Sequence, residues 1–321
     1  EIFFVRGQDY TPTAGEVTGW VAMNLGSSSA TTLSILGGET GSSTITMHSD
    51  GGDDDADKWK IDVADGAGIT FNYASTGSYV THLKLDADSK ISLSNNDLGA
   101  SNTVFGYAAG ASIVSGCNEN VFIGHQAADA TLTNAADRNV AIGYVSLSAL
   151  TSGTRNVAVG AFTGQATTAG SYLTLLGYNA GLSINNATAN GTVCIGTESG
   201  DAITSGSGNT AVGYQSLSLV AGNSEHTAIG HQALMVCDGN DSNTAVGFRA
   251  GYDLTSGDDN VFVGAESGAN VVGGSDNVII GKAAGVTTTA GLNMVLIGRS
   301  AGGAGLITTA ATGTVAIGHS A

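Results

Sequence analysis

The chain has 321 residues with 27 Asp and Glu against ten Lys and Arg, a net charge of −17. That balance excludes a nucleic-acid track, which needs basic side chains against phosphate. With 49 glycines, one proline and no G-X-Y period it is not a collagen. At 42% apolar residues it is not a disordered chain, and no apolar run reaches the ~20 residues of a membrane helix.

Residues 1–101 form one unit in chain order. The segments TTLSIL, STITMHS, KWKIDVAD, GITFNYAS and YVTHLKLDAD alternate in polarity and are separated by Gly, Ser and Asp. They read as hairpin strands. Trp59, Ile61 and Val63 share one strand face; Ile69, Phe71 and Tyr73 share another. Between them SDGGDDDADKW places Asp50, Asp53, Asp54, Asp55 and Asp57 in eight residues. The run lacks the order of EF-hand ligands and reads first as a solvated hairpin tip. The sharper alternative is a weak Ca²⁺ site at Asp53, Asp54, Asp55 and Asp57. The stretch SLSNNDLGASN (92–102) is the expected junction.

From residue 102 to 321 a short phrase recurs, as in NTAVGYQSL and HTAIGHQAL. Its closing glycine falls at 106, 124, 143, 160, 177, 196, 213, 230, 247, 264, 281, 298 and 318, thirteen copies most often 17 residues apart. A fixed period of this kind marks a repeat architecture. Seventeen residues are too few for a strand, a crossover helix and a return strand. They suffice for two short strands and two turns, so the copies are expected to stack as coils of a parallel β-solenoid. The fold class is thus all-β. The last copy stops in mid-phrase and residue 1 is Glu, so a longer parent protein is expected.

The columns of the repeat carry the physics. The position before the glycine is always bulky and apolar, and Ile123, Ile142, Val212, Ile229, Val246, Val263, Ile280 and Ile297 are expected as structural core columns. Thr or Val stands two places earlier and points the same way. The residue between them, such as Ala211, Ala228 or Phe262, points oppositely and is apolar as well. A strand apolar on both faces is buried on both faces. One face can fill its own coil; the other needs a second chain, and a rotationally symmetric homo-oligomer is the simplest cover. Three residues after each glycine only Ala, Ser or Thr occurs, which implies close backbone approach. Gly153, Gly170, Gly206, Gly257, Gly274 and Gly291 stand three places before a core, where a positive-φ turn is expected. Asn opens the core at 102, 120, 139, 156, 209, 243, 260 and 277, either to bond its own turn or to form a ladder between coils.

The phrases NTAVGYQSL, HTAIGHQAL, NVAIGYVSL and NVFIGHQAA resemble the head repeats of trimeric autotransporter adhesins. They are still more similar to the NTAVGYQAL-type arrays of bacteriophage tail fibres. The resemblance covers residues 102–321. It implies a homotrimer of left-handed parallel β-rolls on an extracellular or virion appendage that attaches to a host cell-surface glycan or protein receptor. The coil here is longer than that of the adhesins. The hairpin unit resembles, less closely, the β-rich modules that precede such arrays in phage fibres.

Sites of chemistry are sparse. No HExxH, GxSxG or P-loop spacing occurs. His125, His231 and His319 share a column after the core glycine with Tyr107, Tyr144, Tyr178 and Tyr214. This reads first as a half-exposed column of flat side chains, and alternatively as a strip that stacks on sugar rings. Cys194 falls in an apolar column as a small core residue, whereas Cys117 and Cys237 fall in turns too far apart to pair within the chain. Asp238, Asp241, Asp258, Asp259 and Asp276 crowd successive turns, where like charges need water or a cation between them. The reading that results is a structural and adhesive fibre segment without catalysis, with no cofactor unless Ca²⁺ binds. The alternatives are a bacterial trimeric autotransporter adhesin head and a tailspike-type glycan hydrolase, which would need two carboxylates across a groove. No nucleic acid and no membrane insertion are expected.

Overall fold

The computed structural model describes strand residues 22–24, 32–34, 43–48, 58–64, 68–74, 79–85 and 91–93, and then residues 101–133, 135–237, 241–303 and 312–321. The acidic run at Asp53, Asp54, Asp55 and Asp57 lies outside the described residues. The chain divides into two compact units, Glu1–Asn96 and Asp97–Ala321. All regular structure among the described residues is β.

The first unit contains β1 (Ala22–Asn24), β2 (Thr32–Ser34), β3 (Ser43–His48), β4 (Lys58–Ala64), β5 (Gly68–Ala74), β6 (Tyr79–Leu85) and β7 (Ile91–Leu93). β1 and β2 pair antiparallel, and β3 to β7 form an antiparallel meander in sequence order. Trp59, Ile61 and Val63 lie directly opposite Tyr73, Phe71 and Ile69, so the two apolar sets share one sheet face as cross-strand pairs. The Trp59 and Tyr73 rings are 5.1 Å apart. On the other face Asn72 is buried; it donates to the Lys60 carbonyl and the Thr70 hydroxyl and accepts from the Thr81 hydroxyl.

The second unit is a parallel solenoid. Thirteen three-residue strands, β8 (Thr103–Phe105) through β20 (Val315–Ile317), one per repeat, form a single sheet in strict sequence order. About twelve coils separate them. Equivalent residues pair without offset, for example Thr210↔Thr227, Ala211↔Ala228 and Val212↔Ile229. Among the described residues each coil carries one strand rather than the two expected. The return side is a run of turns, because two residues after every core glycine the chain is left-handed, as at Gln215 (φ 52°), Gln232 (56°) and Arg249 (50°). Two residues further on it is left-handed again, as at Leu217 and Gly251. Alternating left-handed residues bend the chain too tightly for a second strand.

The solenoid interior is filled by the middle residue of each strand. Phe122, Ala141, Leu175, Ala228, Phe262 and Leu296 are buried completely. The columns expected as core, Ile123, Ile142, Val212, Ile229, Val246, Val263, Ile280 and Ile297, lie on the opposite, outer face and are only partly covered in the single chain. The choice of face follows from volume. The middle residue shares the interior with the fourth residue after the glycine, and the two trade size. Ala141, Ala211 and Ala228 go with buried Leu147, Leu217 and Leu234; Leu175, Phe262 and Ile279 go with Gly181, Gly268 and Gly285. Where both are small, as at Ala245 and Gly251, Leu234 and Phe262 of the adjoining coils fill the space, each within 2.8 Å of where a Gly251 Cβ would lie. Interiors packed to crystal-like density require such compensation.

The asparagines form the ladder between coils. Each is buried, its Oδ1 accepting the backbone N–H at the same place in the next coil. Asn139 bonds Asn120 in this way at 2.8 Å, Asn260 bonds Asn243 at 3.0 Å and Asn277 bonds Asn260 at 3.1 Å. The Nδ2 groups of Asn139, Asn156, Asn260 and Asn277 donate to the carbonyls of Gly153, Gly170, Gly274 and Gly291. Of the six turn glycines expected at positive φ, only Gly257 and Gly274 have it. Gly153 is glycine for a different reason: a Cβ there would run into the Gly170 carbonyl oxygen of the next coil.

Candidate interaction surface

The outer strand face is a stripe two side chains wide. Thr or Val forms one edge and a bulky apolar residue the other, at each of thirteen strands. Ile229 is 40% exposed, and Phe105 and Ile317 at the two ends are 66% exposed. The face is apolar, yet within one chain only the inner side of each strand is fully covered. Exposed apolar patches of this extent mark association surfaces.

The aromatic column runs beside this stripe. Tyr107, His125 and Tyr144 stack at centroid distances of 5.1 and 5.2 Å, and Phe162 continues the row edge-on to Tyr144 and Tyr178. A second row joins Tyr214, His231 and Phe248 at 5.1 and 5.3 Å. The coil rise of about 4.8 Å brings equivalent rings to stacking distance. The stacked faces are therefore turned to one another along the coil axis. Tyr107, at the end of its row and 75% exposed, keeps the most free ring surface. Phe162 belongs to this row although it stands one place later in the repeat, a shift that column reading missed.

The other candidates are distributed as follows. Cys117, Cys194 and Cys237 are all buried, so the two assigned to turns point inward. Burial, and then the charge of Asp201, pushes the Cys194 thiol up to about 12. Asp241 and Asp258 accept backbone N–H bonds from Ser224 and Asp241 of the preceding coils at 2.7 and 2.9 Å. These carboxylates therefore cap amides. Among the described residues no cluster of three His, Cys, Asp or Glu side chains is disposed for a metal.

Two further features come from the structure. His226 replaces asparagine in the ladder: its backbone N–H bonds Asn209 Oδ1, and its Nδ1 accepts from the Asn243 N–H at 3.2 Å. That bond puts the ring proton of a neutral His226 on Nε2, which lies 3.8 Å from Cys237 Sγ. Asp201 is the other. Burial first, and then the Glu198 charge, raises its carboxyl to about 6 against the bonds from its own and Ala202's backbone N–H. Glu198 is itself held by Gln215 Nε2 at 2.8 Å.

No family model matches this chain, and neither a curated protein nor a solved structure does. No helix among the described residues is long and apolar enough to cross a membrane.

Proposed function

We propose that this chain is a structural and adhesive fibre segment of a bacteriophage tail or similar virion appendage, working outside the cell as a homotrimer of left-handed β-rolls without catalysis. The observation that carries this reading is the outer apolar face. Twelve steps between thirteen strands make it about 58 Å long at ~4.8 Å per coil. A face that long and that regular is matched in shape by the same face of another copy, and parallel chains about a rotation axis cover it repeatedly. A rod assembled in this way holds a receptor-binding surface at a distance from the particle, which suits attachment to a host glycan or protein. A bacterial adhesin head would use the same architecture.

Light scattering tests the assembly. The expected mass is about three times the 31.7 kDa chain. Ile229→Asp, on the outer face, is expected to give a folded monomer, whereas Ala228→Asp, one residue away and buried, is expected to unfold the coil because its carboxylate has no partner. A folded wild-type monomer would overturn the trimer. Release of reducing ends from bacterial polysaccharide would move the chain to the hydrolase class.

A further inference from the structure

Two residues after the core glycine, the side chains of three successive coils hold one another across the return side. Glu198 Oε2 accepts from Gln215 Nε2 at 2.8 Å, and Gln215 Oε1 accepts from Gln232 Nε2 at 2.9 Å. The next residue of this column is Arg249, and it leaves the ladder. Its guanidinium lies over the Tyr252 ring, with Cζ 4.2 Å from the centroid. Arg249 Nε is shielded from solvent and has no hydrogen-bond partner. Beside it is a cavity of about 220 Å³ lined by Arg249, Tyr252, Asp253, Glu266, Asn270 and Val286. Asn270 spends its Nδ2 on the Val286 carbonyl at 2.7 Å, which leaves its Oδ1 to accept.

We propose that this cavity binds one hexose ring, neutral or amino-bearing. Its volume lies below the ~300–1,000 Å³ of sites for drug-sized ligands, so it suits one small ring. Asp253, Glu266 and Asn270 Oδ1 are acceptors for hydroxyl or ammonium donors, and the guanidinium donates to a hydroxyl or ring oxygen. Val286 offers an apolar contact for the C–H face of a sugar. Charge then selects within the class: two carboxylates against one guanidinium, in a chain at −17, disfavour uronic and sialic acids. The inference deepens the adhesive part of the proposed function and rests on that part alone, not on the trimer.

Saturation-transfer NMR on the full chain with galactose, glucosamine and glucuronic acid tests it. Transfer to glucosamine and galactose and none to glucuronic acid is expected. Arg249→Ala and Asp253→Asn should each weaken binding about tenfold or more, the loss of a charge-assisted bond. The alanine variant keeps the fold, since Ala108 and Ala283 occupy the same column at φ 54° and 55°. Arg249→Lys should recover only part of the affinity, because the planar fork is lost. No transfer to either expected sugar, preference for glucuronic acid, or unchanged binding in both variants would overturn the site. Adsorption of both chains to immobilised bacterial polysaccharide separates the two claims. If Arg249→Ala adsorbs like wild type, the pocket fails and the adhesive reading stands; if neither adsorbs, the adhesive reading fails.

Discussion

At the residue scale, the repeat is specified by backbone that only some side chains tolerate. Gly213 has φ +134°, and a Cβ there would lie 2.5 Å from the Gly230 carbonyl oxygen of the next coil. Gly191 has φ +72° and open space around it, at a place where Glu119, Arg138 and Arg155 adopt φ of 60°, 60° and 58°. Gly213→Ala is therefore expected to lower stability by about 3 kcal/mol or more, and Gly191→Ala by about 1 kcal/mol, both read from urea midpoints. Equal losses would mean that contact with the next coil does not fix the core glycine. Asp201 gives a pH dependence of defined sign. Its folded pKa, about 6, lies above its ordinary value of 3.8. The folded chain then holds a proton that the unfolded chain has released, so this group lowers stability as pH rises from about 4 through about 6. Asp201→Asn should raise the urea midpoint at pH 7 and leave it nearly unchanged near pH 3.5. An advantage of equal size at both values would exclude ionisation as its cause.

At the element scale, the asparagine ladder binds coil to coil inside the solenoid. Asn260 Nδ2 donates to Asn243 Oδ1 and the Gly274 carbonyl, and its Oδ1 accepts from Asn277 N–H and Nδ2. Asn260→Ala leaves the buried Asn277 N–H and the part-buried Gly274 carbonyl without these partners, and a loss of about 2 kcal/mol or more is expected at ~1–3 kcal/mol per unsatisfied group. Asn270→Ala, on the surface, should cost under about 0.5 kcal/mol. Similar losses would remove the ladder from the account of stability. The strand phrase and its parallel stacking were legible because thirteen copies show the same alternation. The side that faces inward was not, because both faces are apolar. What decides it is the exchange of volume between Ala228 and Leu234, or Phe262 and Gly268, which links two columns and is invisible in either alone. The return side was misjudged for a related reason: Val145, Phe162 and Leu217 take left-handed φ that residue type does not announce. Stacked hydrogen bonds hold them there, such as Phe162 N–H to the Tyr144 carbonyl at 2.8 Å.

At the scale of the whole molecule, the 17-residue period was legible from the glycines, whereas the arginine-lined cavity was not, because it is assembled from three coils and from one departure in a side-chain ladder. The period also makes the sharpest test of the architecture. Stability in a solenoid is close to a sum of per-coil and nearest-neighbour contributions, so a whole coil should be removable. Deleting residues 226–242 joins Glu225 to Asn243. Glu225 and Ser242, which precede the two ladder positions, have φ of 63° and 59°, so the new junction keeps its backbone conformation. Thr210, Ala211 and Val212 would pair with Thr244, Ala245 and Val246 in the register they now keep with Thr227, Ala228 and Ile229. Asn209 Oδ1, which now accepts from His226 N–H, would accept from Asn243 N–H, leaving asparagine where histidine interrupts the ladder. The shortened chain should stay folded and keep its association state, with a solenoid about 4.8 Å shorter by small-angle scattering. Deleting only residues 226–233 removes a strand and its ladder position while leaving Leu234 and Cys237, both buried now, with no coil of their own to fill. That variant should melt lower or aggregate. Equal melting of the two deletions would mean that the 17-residue coil is not the unit of folding.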